Sequence, residues 1–251
     1  MFIRCLMLNT ATFVFCLLLM GCGNVQDNNA QKVIDAYPAF NIKYADNKLL
    51  FPDGTAIVYD DGKTKSFTQQ LDNSDIEDMF SMTYEVGDSV PAYLNDCGRS
   101  RNEALFKKMY GDSKAAVRKN LVKVNWFGRM IPFTRVNGAS VQLRKVAYEL
   151  ARLPHLRHYL TNASSFNWRK VRGANRQSAH SYGIAIDINT VFSDYWLWKN
   201  PNCTETDTLI YQNRIPKEIV NVFEKYGFIW GGRWYHYDTM HFEYRPELLR
   251  K

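Results

Sequence analysis

Several common ways of placing chemistry on a chain are missing here. The sequence has no Cys-x-x-Cys pair and no Cys/His cluster, so a structural zinc site is not expected. It has no His-Glu-x-x-His, which removes the helical metal site in which two histidines share one face. A long Lys/Arg run is also absent, so nucleic acid is not an expected partner. There is no internal repeat and no low-complexity tract. The one apolar run near the N-terminus, Ala11 to Met20, is too short to span a bilayer comfortably.

That run has a different use. It follows Arg4 and ends in Leu19-Met-Gly-Cys22, the pattern of a lipoprotein signal, with small Gly21 before the cut and Cys22 to carry lipid. Residues 1–21 are therefore expected to be removed. The polar stretch from Gly23 to Asn29 suits a tether, placed at residues 22–40. The remainder is long enough for one core plus an extension. The chain carries a formal charge of +7, and loss of Arg4 leaves it basic, which suits an anionic cell wall or carboxylate-ended peptides. Of five cysteines, Cys5 and Cys16 leave with the signal and Cys22 would be acylated. Cys97 and Cys203 remain and are expected to pair in an oxidising envelope.

Along the chain, residues 41–68 read as strands broken by the hairpin signals Asp53-Gly54 and Asp61-Gly62. Helices are expected over Arg101–Tyr110 and from Ser113, then a hairpin about Gly128. Leu143, Val146, Ala147 and Leu150 share one face of a helix over residues 139–152, ended by Pro154. A further helix runs from Pro216 to Gly227. Helices interleaved with short strands imply an α+β domain with a small antiparallel sheet.

The chemistry concentrates in Ser178-Ala-His180-Ser-Tyr-Gly183-Ile-Ala185-Ile-Asp187 and in Asp238-Thr-Met-His241. Ile184, Ile186 and Ile188 alternate with Asp187, so the isoleucines face a core and the carboxylate faces away from it. Gly183 lets the chain turn between His180 and that strand. In His241-Phe-Glu-Tyr244 the same alternation presents His241 on a second strand edge. Acids in apolar company need partners, and two imidazoles with one carboxylate form a ligand set for catalytic zinc with a fourth position open. Asp238, three residues before His241, is then placed to take a proton from the attacking water and hand it to a leaving amine. His236 shares a face with Asp238 in an extended stretch and suits a supporting or substrate role. The tryptophans of Trp230-Gly-Gly-Arg-Trp234 either wall a cleft or fill core space.

Ser-x-His-x-x-Gly-x-Ala-x-Asp followed by a late Asp/Glu-x-x-His resembles the zinc D-alanyl-D-alanine carboxypeptidases of VanY type, relatives of the D,D-dipeptidases and the L-alanyl-D-glutamate endolysins. The resemblance runs from about Asn137 to Glu247. It implies a Hedgehog/D,D-peptidase fold over residues 121–251, with 41–120 as an added N-terminal α/β extension. It makes His180, Asp187 and His241 the zinc ligands and Asp238 the general base. Arg169 is the expected oxyanion donor, although the family's Gly-Tyr-Arg context is absent around it, and Arg176 is its rival. Ser178, Arg176 and Trp234 are expected to meet substrate. The lysostaphin-like wall peptidases differ, with a shorter His-to-Asp spacing and a His-x-His pair that this chain lacks.

The function so implied is hydrolysis of peptidoglycan stem peptides, with D-alanyl-D-alanine carboxypeptidase first and L-alanyl-D-glutamate endopeptidase as the close alternative. A lipid-anchored wall-binding protein with a structural zinc site is the alternative of another class. A monomer is expected, held in the cell envelope by its lipid, at the periplasmic face of the outer membrane in a two-membrane bacterium.

Overall fold

The computed structural model describes residues 28–250; the signal segment, Cys22 and the start of the tether lie outside the described residues. The chain is α+β, with helices around three small antiparallel sheets. Helix α1 (Asn28–Ala36) leads to a three-stranded meander of β1 (Lys43–Ala45), β2 (Lys48–Leu50) and β3 (Ala56–Val58). Its tight turn falls at Asp46-Asn47, both with positive φ (49° and 57°), as a type I′ hairpin demands. Asp61-Gly62, read as a hairpin signal, instead opens a loop to α2 (Phe67–Asp72), which starts with a Ser66/Gln69 capping box. Next come α3 (Glu103–Tyr110), capped by Asn102, and α4 (Lys114–Arg118), capped by Ser113.

Strands β4 (Leu121–Trp126) and β5 (Arg129–Thr134) form the expected hairpin. Helix α5 (Ala139–Leu150) buries Leu143, Val146 and Leu150, and the short α6 (Arg157–Leu160) follows. After β6 (Ala185–Asp187) come α7 (Trp196–Lys199) and α8 (Lys217–Lys225), then β7 (Phe228–Trp230) and β8 (His241–Tyr244). The third sheet has the order β6-β8-β7, antiparallel throughout, so β8 is its central strand. A central strand between packed faces must bury both sides, and all four β8 residues are buried. Phe242 stacks on Phe223 of α8 at 3.8 Å between centroids, fixing the helix to the sheet.

One expectation needs correcting. Residues 28–40 are not tether but structure: Ala30, Val33, Ala36 and Tyr37 are buried, because the apolar side of α1 has a core to join. Residues 41–120, the expected extension, share the core of the rest. Leu49, Ile57, Phe106 and Val117 belong to the same apolar core as Leu143, Ile186, Phe223 and Phe242.

Gly183 is the tightest joint near β6. It has φ +68°, its carbonyl accepts a hydrogen bond from Thr134 N (2.9 Å), and an added Cβ would lie 2.5 Å from Leu121 Cδ2. Gly183→Ala combines left-handed strain with overpacking and should destabilise the fold by about 1–3 kcal/mol. Urea midpoints at unchanged m-value are the measurement; an unshifted midpoint would show that the joint relaxes freely.

Candidate metal centre

Strand register brings the first two groups together. Asp187 on β6 pairs directly with His241 on β8, so their side chains leave neighbouring positions of one sheet face. His180 arrives from a single 3-10 turn, Ala179–Tyr182, that Gly183 closes in the left-handed region. The outcome is a triangle of donor atoms. His180 Nε2 lies 3.1 Å from Asp187 Oδ1 and 3.2 Å from His241 Nδ1, and His241 Nδ1 lies 3.0 Å from Asp187 Oδ1. Bonds of 2.0–2.1 Å at tetrahedral angles would hold donors about 3.3 Å apart, so the triangle is close to the size one small cation imposes.

Outer contacts set the tautomers. His180 Nδ1 lies 2.6 Å from the Ser165 carbonyl, which can only accept, so this nitrogen carries the proton. His241 Nε2 points to Glu243 Oε2 at 3.3 Å in the same sense. In its neutral form each ring spends its N–H outward, which leaves three lone-pair atoms converging. They repel unless positive charge sits among them. Burial alone would lower the His241 pKa, but its contacts with Asp187 and Glu243 outweigh that and push it up to about 10. Burial likewise raises Asp187, yet the two imidazoles hold its carboxyl well below the usual range. The donor set fits a metal ion. The clustering of these three residues within coordinating reach of one another is the same result seen another way.

Asp238 stands beside the triangle. The close Trp230-Gly-Gly turn allows it: Asp238 N donates to Gly231 O (2.9 Å), and a Cβ on Gly231 would lie 2.5 Å from the Asp238 carbonyl oxygen. Its Oδ1 is buried with no hydrogen-bond partner. Burial raises the Asp238 pKa to about 6; the His241 charge opposes the rise and the Asp187 charge adds to it. A buried carboxylate oxygen without a donor is a group prepared for a partner from outside the chain.

All four groups face a cavity of about 470 Å³, where Ser178, Trp234 and Met240 also lie. Trp234 is buried, its indole N–H donating to Cys97 O (2.6 Å) and its ring 5.4 Å from that of His241. It therefore walls the cavity and also fills core space. Trp230, by contrast, is held inward by Thr239 O. Tyr195, Trp196 and Trp198 form the other aromatic side.

Five arginines line the same cavity against two carboxylates, Asp187 and Asp238. Arg169 is exposed at the mouth, and its charge acts on Asp238. Arg176 is buried, paired to Asp72, with its Nε unpartnered. Arg172 is exposed. Arg99 and Arg101, which sequence reasoning missed, come from the loop before α3. No local pattern marks them, because only the fold brings residues 99–101 beside residues 176–180. Burial lowers the Arg101 pKa, the nearby Glu243 opposing this and Arg245 and Arg176 reinforcing it.

His236 is not part of the triangle. Its Nδ1 lies 2.5 Å from Asp96 Oδ2 and its ring is fully buried. Asp96, Glu205 and His236 do lie within coordinating reach of one another. However, Arg99 already supplies the positive charge there, bonding Asp96 (2.5 Å) and both oxygens of Glu205 (2.7 and 2.8 Å). The expected disulfide is also absent: Cys97 and Cys203 are free thiols. They sit in different apolar clusters, Cys97 with Tyr84, Ile229 and Trp234, and Cys203 against Trp196, Leu209 and Tyr237.

A largely buried triangle of two imidazoles and a carboxylate, with an unpartnered carboxylate oxygen beside it in a basic cavity, is a donor set that one cation would fit. Residues 172–244 match the family described as D-alanyl-D-alanine carboxypeptidase, a span that contains His180, Asp187, Asp238 and His241. The match supports a peptidase, and so a hydrolase, of that family. No curated protein and no solved structure matches the chain.

Proposed function

We propose that the protein is a zinc metallopeptidase that trims peptidoglycan stem peptides as a D-alanyl-D-alanine carboxypeptidase, with a Hedgehog/D,D-peptidase-like catalytic domain. The observation that carries this reading is the donor triangle with the orphan Asp238 oxygen at its side. His180, Asp187 and His241 would hold the metal. Bound zinc would act as a Lewis acid on the scissile carbonyl and make water more acidic. Asp238 takes the proton of the attacking water and delivers it to the leaving amine. Arg169, at the cavity mouth near Asp238, offers its guanidinium to the developing oxyanion. Ser178 and Trp234 shape the wall against which the peptide lies.

The carboxypeptidase form is supported by the cations set into the wall. A peptide ending in a free carboxylate would bring its negative charge to a wall that carries Arg101, beside Glu243, and Arg176, paired to Asp72 with its Nε free. An exported protein anchored by lipid on Cys22 would meet such peptides in the envelope.

The test uses zinc-loaded full-length protein with a stem pentapeptide ending in D-Ala-D-Ala and with its C-terminal amide, products read by mass spectrometry. Release of D-alanine from the acid alone is expected. Equal cleavage of the amide, or cleavage only at the L-alanyl-D-glutamate bond, would turn the assignment to the endopeptidase. Protein loaded with zinc yet inert towards both peptides would favour the wall-binding reading.

A further inference from the structure

The site side of β8 and its continuation carries an unusual load. His241, Glu243, Arg245 and Glu247 occur at every second residue, and all are buried. Glu243, Arg245 and Glu247 are each 0 % exposed. They are joined in line. His241 Nε2 meets Glu243 Oε2 at 3.3 Å, and Glu243 Oε1 accepts from Arg245 at 3.1 Å. Arg245 Nε donates to Glu247, whose other oxygen accepts from the Tyr37 hydroxyl at 2.7 Å. Tyr37, at the end of α1, is also buried. Arg245 is further held by the Gly98 carbonyl at 3.0 Å and lies over the Phe106 ring, 4.9 Å from its centroid.

Stability does not explain such a ladder. Desolvating several charges is costly, and apolar residues of similar volume often serve a core as well or better. The ladder does something an apolar strand cannot: it presents an ionised acceptor to one nitrogen of His241.

We infer that Glu243 is a positioning residue for the metal centre, and that Arg245, Glu247 and Tyr37 form a buried chain tying its carboxylate, and so the His241 ring, to helix α1. The inference rests on the reading of His180, Asp187 and His241 as metal ligands. Glu243 fixes His241 as the tautomer whose Nδ1 lone pair faces Asp187 and His180. Arg245 holds Glu243 in place from the next alternate position, and Tyr37 locks Glu247 from a segment that lies 210 residues earlier. A ligand orientation set inside the 172–244 span thus depends on residues outside it.

The experiment measures zinc affinity of the full-length protein by chelator competition, with zinc alone as the probe. Glu243→Gln is expected to weaken zinc binding by about 10- to 100-fold. Tyr37→Phe should lose affinity in the same direction but less, and the double variant should lose less than the product of the two. The ¹⁵N shifts of the His241 ring in the zinc-loaded protein should show Nδ1 as the ligating nitrogen and Nε2 protonated in the wild type, and a mixture of the two ligating nitrogens in Glu243→Gln. Glu224→Gln is the control, since Glu224 also forms a little-exposed ion pair, with Arg233, but lies off the chain; it should keep full affinity. Folded Glu243→Gln with wild-type affinity and tautomer would overturn the inference, as would an equal loss in the control. Wild-type protein that binds no zinc would instead remove the metal-centre reading itself.

Discussion

Asp238→Asn should leave the protein nearly inactive on D-Ala-D-Ala-ended stem peptides, with turnover down about 10²–10⁴-fold, the usual loss when a general base is removed. The change keeps the side-chain shape, so the Trp230-Gly-Gly turn and the backbone bond to Gly231 O persist. What disappears is proton acceptance at the buried, unpartnered Oδ1. Zinc content should stay near that of the wild type, because Asp238 lies outside the triangle of His180, Asp187 and His241. The two readouts separate base from ligand. Normal turnover by Asp238→Asn would refute the base, whereas loss of zinc in that variant would move Asp238 into the ligand set.

Removing His180 should have the opposite signature, with metal and activity lost together. His180→Ala deletes one of three donors held at 3.0–3.2 Å and leaves Asp187 and His241 to bind a cation alone. Stability offers a second readout. An ion that binds only the folded chain stabilises it by about 2.7 kcal/mol when present at a hundredfold excess over its dissociation constant. For a chain of this size that corresponds to a Tm rise of roughly 5–10 °C. Zinc should therefore raise the melting temperature of the wild type, and chelation should reverse the rise. His180→Ala should respond to neither. Full zinc stoichiometry in His180→Ala at low free metal would show the ligand assignment to be wrong.

Much of the site was legible because its cues are local. Alternation of Ile184, Ile186 and Ile188 about Asp187 is a period-two signal, and all three isoleucines are fully buried as it demands. The helix at residues 139–150 and its buried face followed from spacing in the same way, and Ser113 caps a helix where its side-chain chemistry predicts, while the helix expected from Arg101 starts after its cap Asn102. Other features were not legible. Nothing polar or apolar in Asn28–Asn29 announces that α1 will dock. The weight of that helix rests on three small or branched residues, Ala30, Val33 and Ala36, that matter only once a core stands beside them. The pairing expected of Cys97 and Cys203 failed for a related reason, since cysteine spacing carries no information about which cluster each thiol enters.

By itself, the sequence determined which side chains could do the chemistry: two histidines and two aspartates at fixed spacing, a glycine able to take φ +68°, and strands whose period decides which face each residue occupies. These are properties of a few neighbouring residues, and backbone sterics act at that range. Tertiary structure alone decided the β6–β8 register that sets Asp187 opposite His241. It also brought Arg99 and Arg101 into the cavity and strung the buried chain from His241 back to Tyr37. Each of these joins positions far apart in the chain, and long-range pairs form only where burying a shared core offsets the entropy of closing the loops between them.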